Sequence, residues 1–261
     1  MEYLIICAVA LFVSGLTLFS GFGLGTVLMP AFALFCPVPV AVAATALVHL
    51  SNNLFKTLLV GRKGDWSVIA VFALPGAGAA MAGAFLLDVV DRVPPLAVYQ
   101  LGNQRHEITL VGLLIGILIS GFALLDLLPR FRELAFDRKY LPYGGLLSGF
   151  FGGISGMQGA LRSAFLIKAG LSKEAFIGTA TVSAVIVDAA RLLVYGWSFF
   201  SRHFEIISPA LTGLILAATS AAFLGSFIGA RLIKKVTLKT IQIIVGLMLV
   251  LIGLGLAGGL M

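Results

Sequence analysis

Hydrophobic residues form long runs along this chain, and polar residues are mostly confined to short segments between them. Runs such as 4–35, 68–87 and 108–128 reach or exceed about 20 residues, the length of one helix across a bilayer. Because lipid offers the backbone no hydrogen bonds, such runs fold as helices or as a closed barrel. Barrel strands alternate apolar and polar residues, and these runs do not. The pattern therefore predicts an all-α bundle of transmembrane helices.

Composition supports a membrane protein and argues against several other classes. Only 11% of the 261 residues are charged, whereas a soluble domain carries roughly 25%. The net charge is +7, but no basic run with interleaved aromatics indicates a nucleic-acid partner. Cys7 and Cys36 lie in apolar stretches, and their spacing indicates neither a disulfide nor a metal site. We also find no HExxH, no Gly-x-Ser-x-Gly and no paired intramembrane aspartates, so we expect no enzyme and no cofactor.

A weak internal repeat relates the two halves of the chain. Sliding the sequence by 134 positions places Ser14-Gly15 on Ser148-Gly149 and Gly25 on Gly159. Each half starts with a glycine-interrupted segment and continues with three hydrophobic spans. The predicted spans are 40–60, 66–87 and 108–128 in the first half and 174–199, 206–233 and 240–260 in the second. We predict a first membrane repeat at 1–129, a basic cytoplasmic linker at 130–139 and a second repeat at 140–261.

The distribution of lysine and arginine favours one topology over another. If all eight segments cross the bilayer, the loops hold seven basic residues inside and eight outside, without the usual excess on the cytoplasmic side. If both interrupted segments are re-entrant and the N-terminus is outside, the count becomes twelve inside and three outside. Each half then has three crossings, so the two repeats are inverted relative to each other. Segment lengths leave the eight-crossing alternative open.

The interruptions themselves suggest a binding site. The first break is Gly21-Phe22-Gly23-Leu24-Gly25, and the second is the stretch 152–159, GGISGMQG. Glycine lets the backbone leave helical geometry and approach a ligand closely. A helix that restarts at Thr26 or Ala160 presents unpaired N–H groups and a positive dipole end, which bind anions. Broken helices in inverted repeats are typical of secondary transporters, whose substrate binds at the midplane.

Arg162 is the charged residue closest to a break. At mid-depth an arginine costs about 2.5–3.5 kcal/mol on insertion scales, and its planar fork suits a bidentate oxyanion. The alternative, in which Arg162 pairs with Asp188 or caps backbone carbonyls, stays open. The predicted substrate-binding residues are Gly23, Gly25, Thr26, Ser155, Gln158, Gly159, Arg162 and Ser163.

Polar residues within two spans are candidates for coupling or gating. Asp188 and Arg191 are three apart on one helix face and are expected to form an ion pair. A polar stripe with helical spacing, which should face the bundle interior, is formed by His49, Asn52, Asn53 and Lys56. Lys56 alternatively extends to the inner membrane surface. His49 titrates near neutral pH, so proton coupling and interhelical hydrogen bonding are both open. The coupling or gating candidates are His49, Asn52, Asp188 and Arg191.

Motifs at the two breaks resemble the TauE/SafE family of sulfite and organosulfonate exporters. In the first half these are GFGLGTVLMP, Pro37, Pro39 and AVAAT; in the second, SGFFGGISGMQGALRSAFLIKAGL and EAFIGTA. The resemblance covers nearly the whole length. It implies a multi-pass transporter in the cell (inner) membrane that exports a small anion such as sulfite, an organosulfonate or a carboxylate. The second half departs from the family's commoner form, in which glycines lead into a proline, since Ala164 stands opposite Pro30.

Two other functions remain as alternatives. One is a cation-coupled transporter of another solute. Against it, Asp188 is the only deep carboxylate, and one carboxylate supplies too few ligands for a dedicated cation-binding site. The other is a non-transporting membrane partner subunit, in which polar residues near the breaks are replaceable. Apart from lipid and a small anionic substrate, a homodimer partner is compatible with the sequence.

Overall fold

The computed structural model of the protein describes residues 1–20, 23–128, 131, 134–199, 209–232 and 238–260. Its helices are α1 Glu2–Ser20, α2 Leu24–Ala33, α3 Val38–Val60, α4 Trp66–Asp91, α5 Leu110–Leu127, α6 Leu141–Ser155, α7 Gly159–Leu166, α8 Lys173–Val194, α9 Pro209–Leu232 and α10 Leu238–Ala257. A turn of 3₁₀ helix occurs at Gly61–Lys63 and another at Arg138–Tyr140, and α8 continues as a π-helix over Tyr195–Phe199. Outside the described residues lie Gly21 and Phe22 of the first break, and Arg130, Arg132, Arg202, Lys234 and Lys235 of the charge count.

The predicted helical membrane bundle is confirmed. Within the described residues, the helical stretches long and apolar enough to cross a bilayer are Val38–Leu58, Trp66–Asp91, Leu110–Leu127, Lys173–Trp197 and Pro209–Gly229. They correspond to five of the six predicted spans. At the sixth, 240–260, helix α10 forms, and the apolar stretch with described side chains is the shorter Ile243–Ala257.

Both leading segments are interrupted helices, but the second interruption is shorter than predicted. Helix α6 continues to Ser155, so only Gly156, Met157 and Gln158 separate it from α7. Helix α7 starts at Gly159 rather than Ala160, and α2 starts at Leu24 rather than Thr26. The glycines at 152 and 153 stay helical because α6 packs along α4 over this length. Gly156 ends α6 with φ +80°, a conformation that favours glycine.

The main helix contacts join one half of the chain to the other. Helix α1 packs along α9 and α6 packs along α4, while α3 packs against α8 and α5 against α10. Glycines make the first two contacts close. A Cβ atom at Gly15 would lie 3.0 Å from the carbonyl oxygen of Gly225, and one at Gly149 would overlap the carbonyl of Gly76. This backbone approach is typical of small-residue packing between membrane helices.

A β-hairpin, which the sequence analysis does not predict, connects α4 to α5. Its strands are β1 Ala97–Leu101 and β2 Gln104–Ile108, with Gly102 at φ +63° in the turn. The Tyr99 hydroxyl donates to the Gly258 carbonyl at 2.7 Å, so the hairpin covers the end of α10. A Gly-Asn pair between two short segments of strand-forming residues is the sequence pattern that could have predicted this hairpin.

Asp65 caps the N-terminus of α4, and its carboxylate should make stability depend on pH. Its side chain accepts hydrogen bonds from the Ser67 hydroxyl at 2.6 Å and the Val68 N–H at 3.2 Å. The Ser67 side chain first, and then the backbone N–H of Val68, lower the pKa of Asp65. A lowered pKa means that the stabilisation is complete above the unfolded value of about 3.9 and is lost as pH falls through the folded value.

We therefore expect Asp65→Ala to lower the melting temperature at pH 7, with a smaller difference from wild type at about pH 3. Thermal unfolding of the detergent-purified protein measures both values. Asp65→Asn is the matched control, because asparagine keeps the cap without a carboxylate. An equal effect of Asp65→Ala at both pH values would contradict the role given to the charge.

Candidate functional site

The two helix breaks meet inside the bundle. A Cβ atom at Gly25 would lie 2.8 Å from the carbonyl oxygen of Gly156, and one at Gly23 would lie 3.7 Å from the backbone nitrogen of Gly159. All four glycines are buried. The N-termini of α2 and α7 therefore start close together, with no side chain between the two backbones.

Asp188 on α8 is the centre of a buried polar cluster beside the breaks. Its Oδ1 accepts from Gln158 Nε2 at 2.9 Å and lies 2.7 Å from Arg191 Nη2. Its Oδ2 lies 2.5 Å from His49 Nδ1 on α3. The predicted ion pair between Asp188 and Arg191 is confirmed. One carboxylate thus connects α3, α8 and the second break.

Side chains from α8 also satisfy carbonyls at the end of α6. Arg191 Nη1 donates to the Gly152 carbonyl at 2.8 Å, and the Tyr195 hydroxyl donates to the Gly153 carbonyl. Helix ends leave their last carbonyls without intrahelical partners, and buried carbonyls need one. Arg191 therefore has two structural contacts, one with Asp188 and one with the end of the broken helix.

Arg162 lies on the first turn of α7 and is half-buried. Its Nη1 donates to Gln158 Oε1 at 3.1 Å, and Gln158 in turn donates to Asp188. The two charges are therefore bridged by an amide, and the described residues show no direct ion pair between them. Arg162 Nε is buried and has no hydrogen-bond partner within the described part of the chain. The Nε–H group of Arg162 is therefore a hydrogen-bond donor beside the two breaks that no described residue uses.

The polar stripe on α3 faces the bundle interior, as predicted. His49, Asn52, Asn53 and Lys56 are 3%, 1%, 6% and 7% exposed. In the orientation that satisfies its amide, Asn52 donates to Ser226 Oγ at 2.8 Å and accepts from Lys56 Nζ at 3.2 Å. Lys56 is therefore held inside the bundle instead of extending to the inner surface. Asn52 therefore connects α3 to α9. Among the described residues, it makes no hydrogen bond to the Asp188 cluster.

Residues 4–256 match the family model for the sulfite exporter TauE/SafE. The chain belongs to the TauE/SafE sulfite exporter family. Neither a curated protein nor a solved structure matches it. With five candidate spans among its described residues, this TauE/SafE protein is a multi-pass membrane transporter.

The structure of this TauE/SafE protein brings together only part of the predicted substrate-binding set. Gly23, Gly25, Gln158, Gly159 and Arg162 lie at or beside the meeting of the breaks. Thr26 is buried, and its Oγ1 is on the side facing Gly23.

The two predicted serines have a weaker connection to the site. The Ser155 hydroxyl is engaged by its own helix, since it donates to the Phe151 carbonyl at 2.8 Å. The hydroxyl of half-buried Ser163 makes no hydrogen bond with the Asp188 cluster in the described part of the chain. Neither serine is therefore placed as a direct contact with Arg162.

Two residues of the site were missed from the sequence. Thr45 is fully buried, its Cγ2 would lie 3.8 Å from a Cβ at Gly25, and its hydroxyl has no partner among the described residues. It precedes His49 by one helical turn, so extending the polar stripe backwards would have found it. Tyr195 follows Arg191 by four residues and shares its helix face. A single tyrosine in an apolar span does not by itself predict a role in a site.

Proposed function

We propose that this protein transports a small anion, sulfite or an organosulfonate or carboxylate, through a midplane site at the two helix breaks. The observation that carries the proposal is the state of Arg162. It is half-buried beside the meeting of the breaks, and among the described residues its Nε has no hydrogen-bond partner and no carboxylate lies within ion-pair distance. Export is the direction that the family's description supports.

The electrostatics of the cluster support an anionic substrate. A buried charge is costly unless it is paired. Asp188 is already engaged by Arg191, His49 and Gln158. An oxyanion at Arg162 would supply the missing acceptor, and the N–H groups at the start of α7 would add a positive dipole end. Thr45, whose hydroxyl has no partner in the described part of the chain and whose methyl group is near Gly25, is a further candidate contact.

The proposal includes an architecture of two inverted repeats, 1–129 and 140–261, joined by the basic linker 130–139 on the cytoplasmic side of the cell membrane. Reciprocal packing supports it, since the broken segment of each half packs on the second span of the other. The twelve-to-three distribution of basic residues supports re-entrant broken segments over eight crossings. In this architecture the two breaks reach the midplane from opposite sides.

Replacing Arg162 with alanine should weaken substrate binding about 10- to 100-fold, because a hydrogen bond to a charged group contributes about 1.5–3 kcal/mol. Uptake of sulfite, sulfoacetate, acetate and chloride into proteoliposomes, with calorimetric binding in detergent, measures the effect. Arg162→Lys should give an intermediate loss, since it keeps the charge and loses the fork.

Arg105→Ala is the matched control, because Arg105 is exposed on the β-hairpin, outside both helix breaks. It should transport at the wild-type rate. Folded, monodisperse wild-type protein that moves and binds none of these anions would refute the proposed function. An Arg162→Ala variant that equals wild type would move the site away from the second break.

A further inference from the structure

The buried side chain of His49 is hydrogen-bonded to the carboxylate of Asp188. His49 Nδ1 lies 2.5 Å from Asp188 Oδ2, and the two residues are 3% and 0% exposed. This separation is that of a hydrogen bond, and the pairing of Asp188 with Arg191 favours an ionised carboxylate, so we assign the hydrogen to Nδ1. The remaining ring nitrogen, Nε2, is then an acceptor in the neutral ring.

The Asn53 amide, one helical turn along α3, lies beside both ring nitrogens. Asn53 Nδ2 lies 3.3 Å from His49 Nε2 and 3.1 Å from Nδ1. With Nδ1 donating to Asp188, Nε2 is the ring nitrogen that can accept from this amide. If a second proton binds at Nε2, both ring nitrogens become donors. The Asn53 nitrogen then faces a donor, and the amide must turn its oxygen toward the ring.

Charged side chains on neighbouring helices act on His49. On α8 they are Asp188 and Arg191, on α7 Arg162, and on its own helix Lys56 is two turns away. Helix α2 has no titratable residue, and α9 has only Arg231 near its far end. A protonated His49 and the Arg162 guanidinium carry like charges, so each disfavours the other. An anion bound at Arg162 would offset this repulsion.

We propose that His49 is the binding site for a proton that moves with the substrate anion. The proton binds at Nε2 while Nδ1 keeps its hydrogen bond to Asp188, and the Asn53 amide turns to accept from Nε2. The inference rests on the proposed anion site at Arg162. Because coupling between two ligands is reciprocal, the anion favours the proton as much as the proton favours the anion. A proton and a monoanion moving together carry no net charge, so direction follows the two concentration gradients.

Calorimetric titration with methanesulfonate tests this directly, since a sulfonate does not titrate between about pH 5 and pH 8, where histidine does. Titrations in two buffers of different ionisation enthalpy give the number of protons taken up per anion. For wild type we expect an uptake approaching about one proton, and an affinity that rises by up to about tenfold per unit of falling pH. His49→Gln should bind the anion with no proton uptake and no pH dependence.

His106→Gln is the matched control, because His106 lies on the hairpin and contacts the Gly259 carbonyl, outside the cluster. It should keep the wild-type proton uptake. Wild-type protein that binds methanesulfonate without taking up a proton overturns the inference and leaves the anion site intact, and this result needs no variant. Proton uptake that persists in His49→Gln overturns it as well. Absence of binding at every pH, with the other anions also inactive, refutes the proposed function and the inference together.

Discussion

Replacing Asp188 with alanine will lower the free energy of unfolding by about 3–5 kcal/mol, the usual cost of removing one partner from a buried ion pair. The change leaves Arg191 buried without a counter-charge, and it removes the hydrogen-bond acceptor of His49 and Gln158. Arg191 also holds the Gly152 carbonyl, so the end of α6 should loosen. Thermal and chemical unfolding of the purified protein measures the loss.

Asp137→Ala provides the control for Asp188→Ala, because Asp137 is exposed before a 3₁₀ turn and its side chain makes no capping hydrogen bond. It should change stability by less than about 0.5 kcal/mol. A double variant, Asp188→Leu with Arg191→Met, should recover part of the loss, since it removes both charges at once. Equal stability of Asp188→Ala and Asp137→Ala would show that the cluster does not hold α3, α6 and α8 together.

Replacing Gly149 with alanine will destabilise the protein by about 1–3 kcal/mol or more through overpacking. The added Cβ would overlap the carbonyl of Gly76, and this obstacle is backbone rather than a flexible side chain. Helices α4 and α6 must therefore separate, and the second break moves with α6. The melting temperature and the rate of anion transport should both fall.

Gly78→Ala is the control for this steric argument, because it lies on α4 beside Gly76 and a Cβ there would meet nothing within 4 Å. Its stability should stay the same or rise by up to about 1 kcal/mol, since alanine is the better helix former. If Gly149→Ala is as stable as Gly78→Ala, α4 and α6 do not approach each other through their glycines.

Features set by local sequence were predictable. The hydrophobic runs predict six spans, and the described helices reproduce five of them, because lipid dictates both length and helical backbone. The polar stripe on α3 was predictable from helical spacing, since charged and amide side chains in a span turn away from lipid. The positions of the interruptions followed from glycine-rich sequence.

Features that depend on which helices meet were not predictable. His49 and Asp188 are separated by 139 positions. Helical periodicity places each residue on one face of its helix, but it does not show which helix packs against that face. The second break proved shorter than the glycine pattern indicates, since contact with α4 keeps Gly152 and Gly153 helical. The hydrogen bonds by which Gln158 bridges Arg162 and Asp188 were not predictable for the same reason, since they depend on which helices are in contact.

The exchange of partners between the halves has a consequence for biosynthesis. Helix α1 is made before the other described helices, and its principal packing partner, α9, is made after all of them except α10. Until α9 is made, the face of α1 around Gly15 has no helix to pack against, and the insertion machinery or lipid must shield it. Contacts so distant in the chain form late and slowly. A ribosome that stalls after α8 therefore leaves α1 without its principal packing partner.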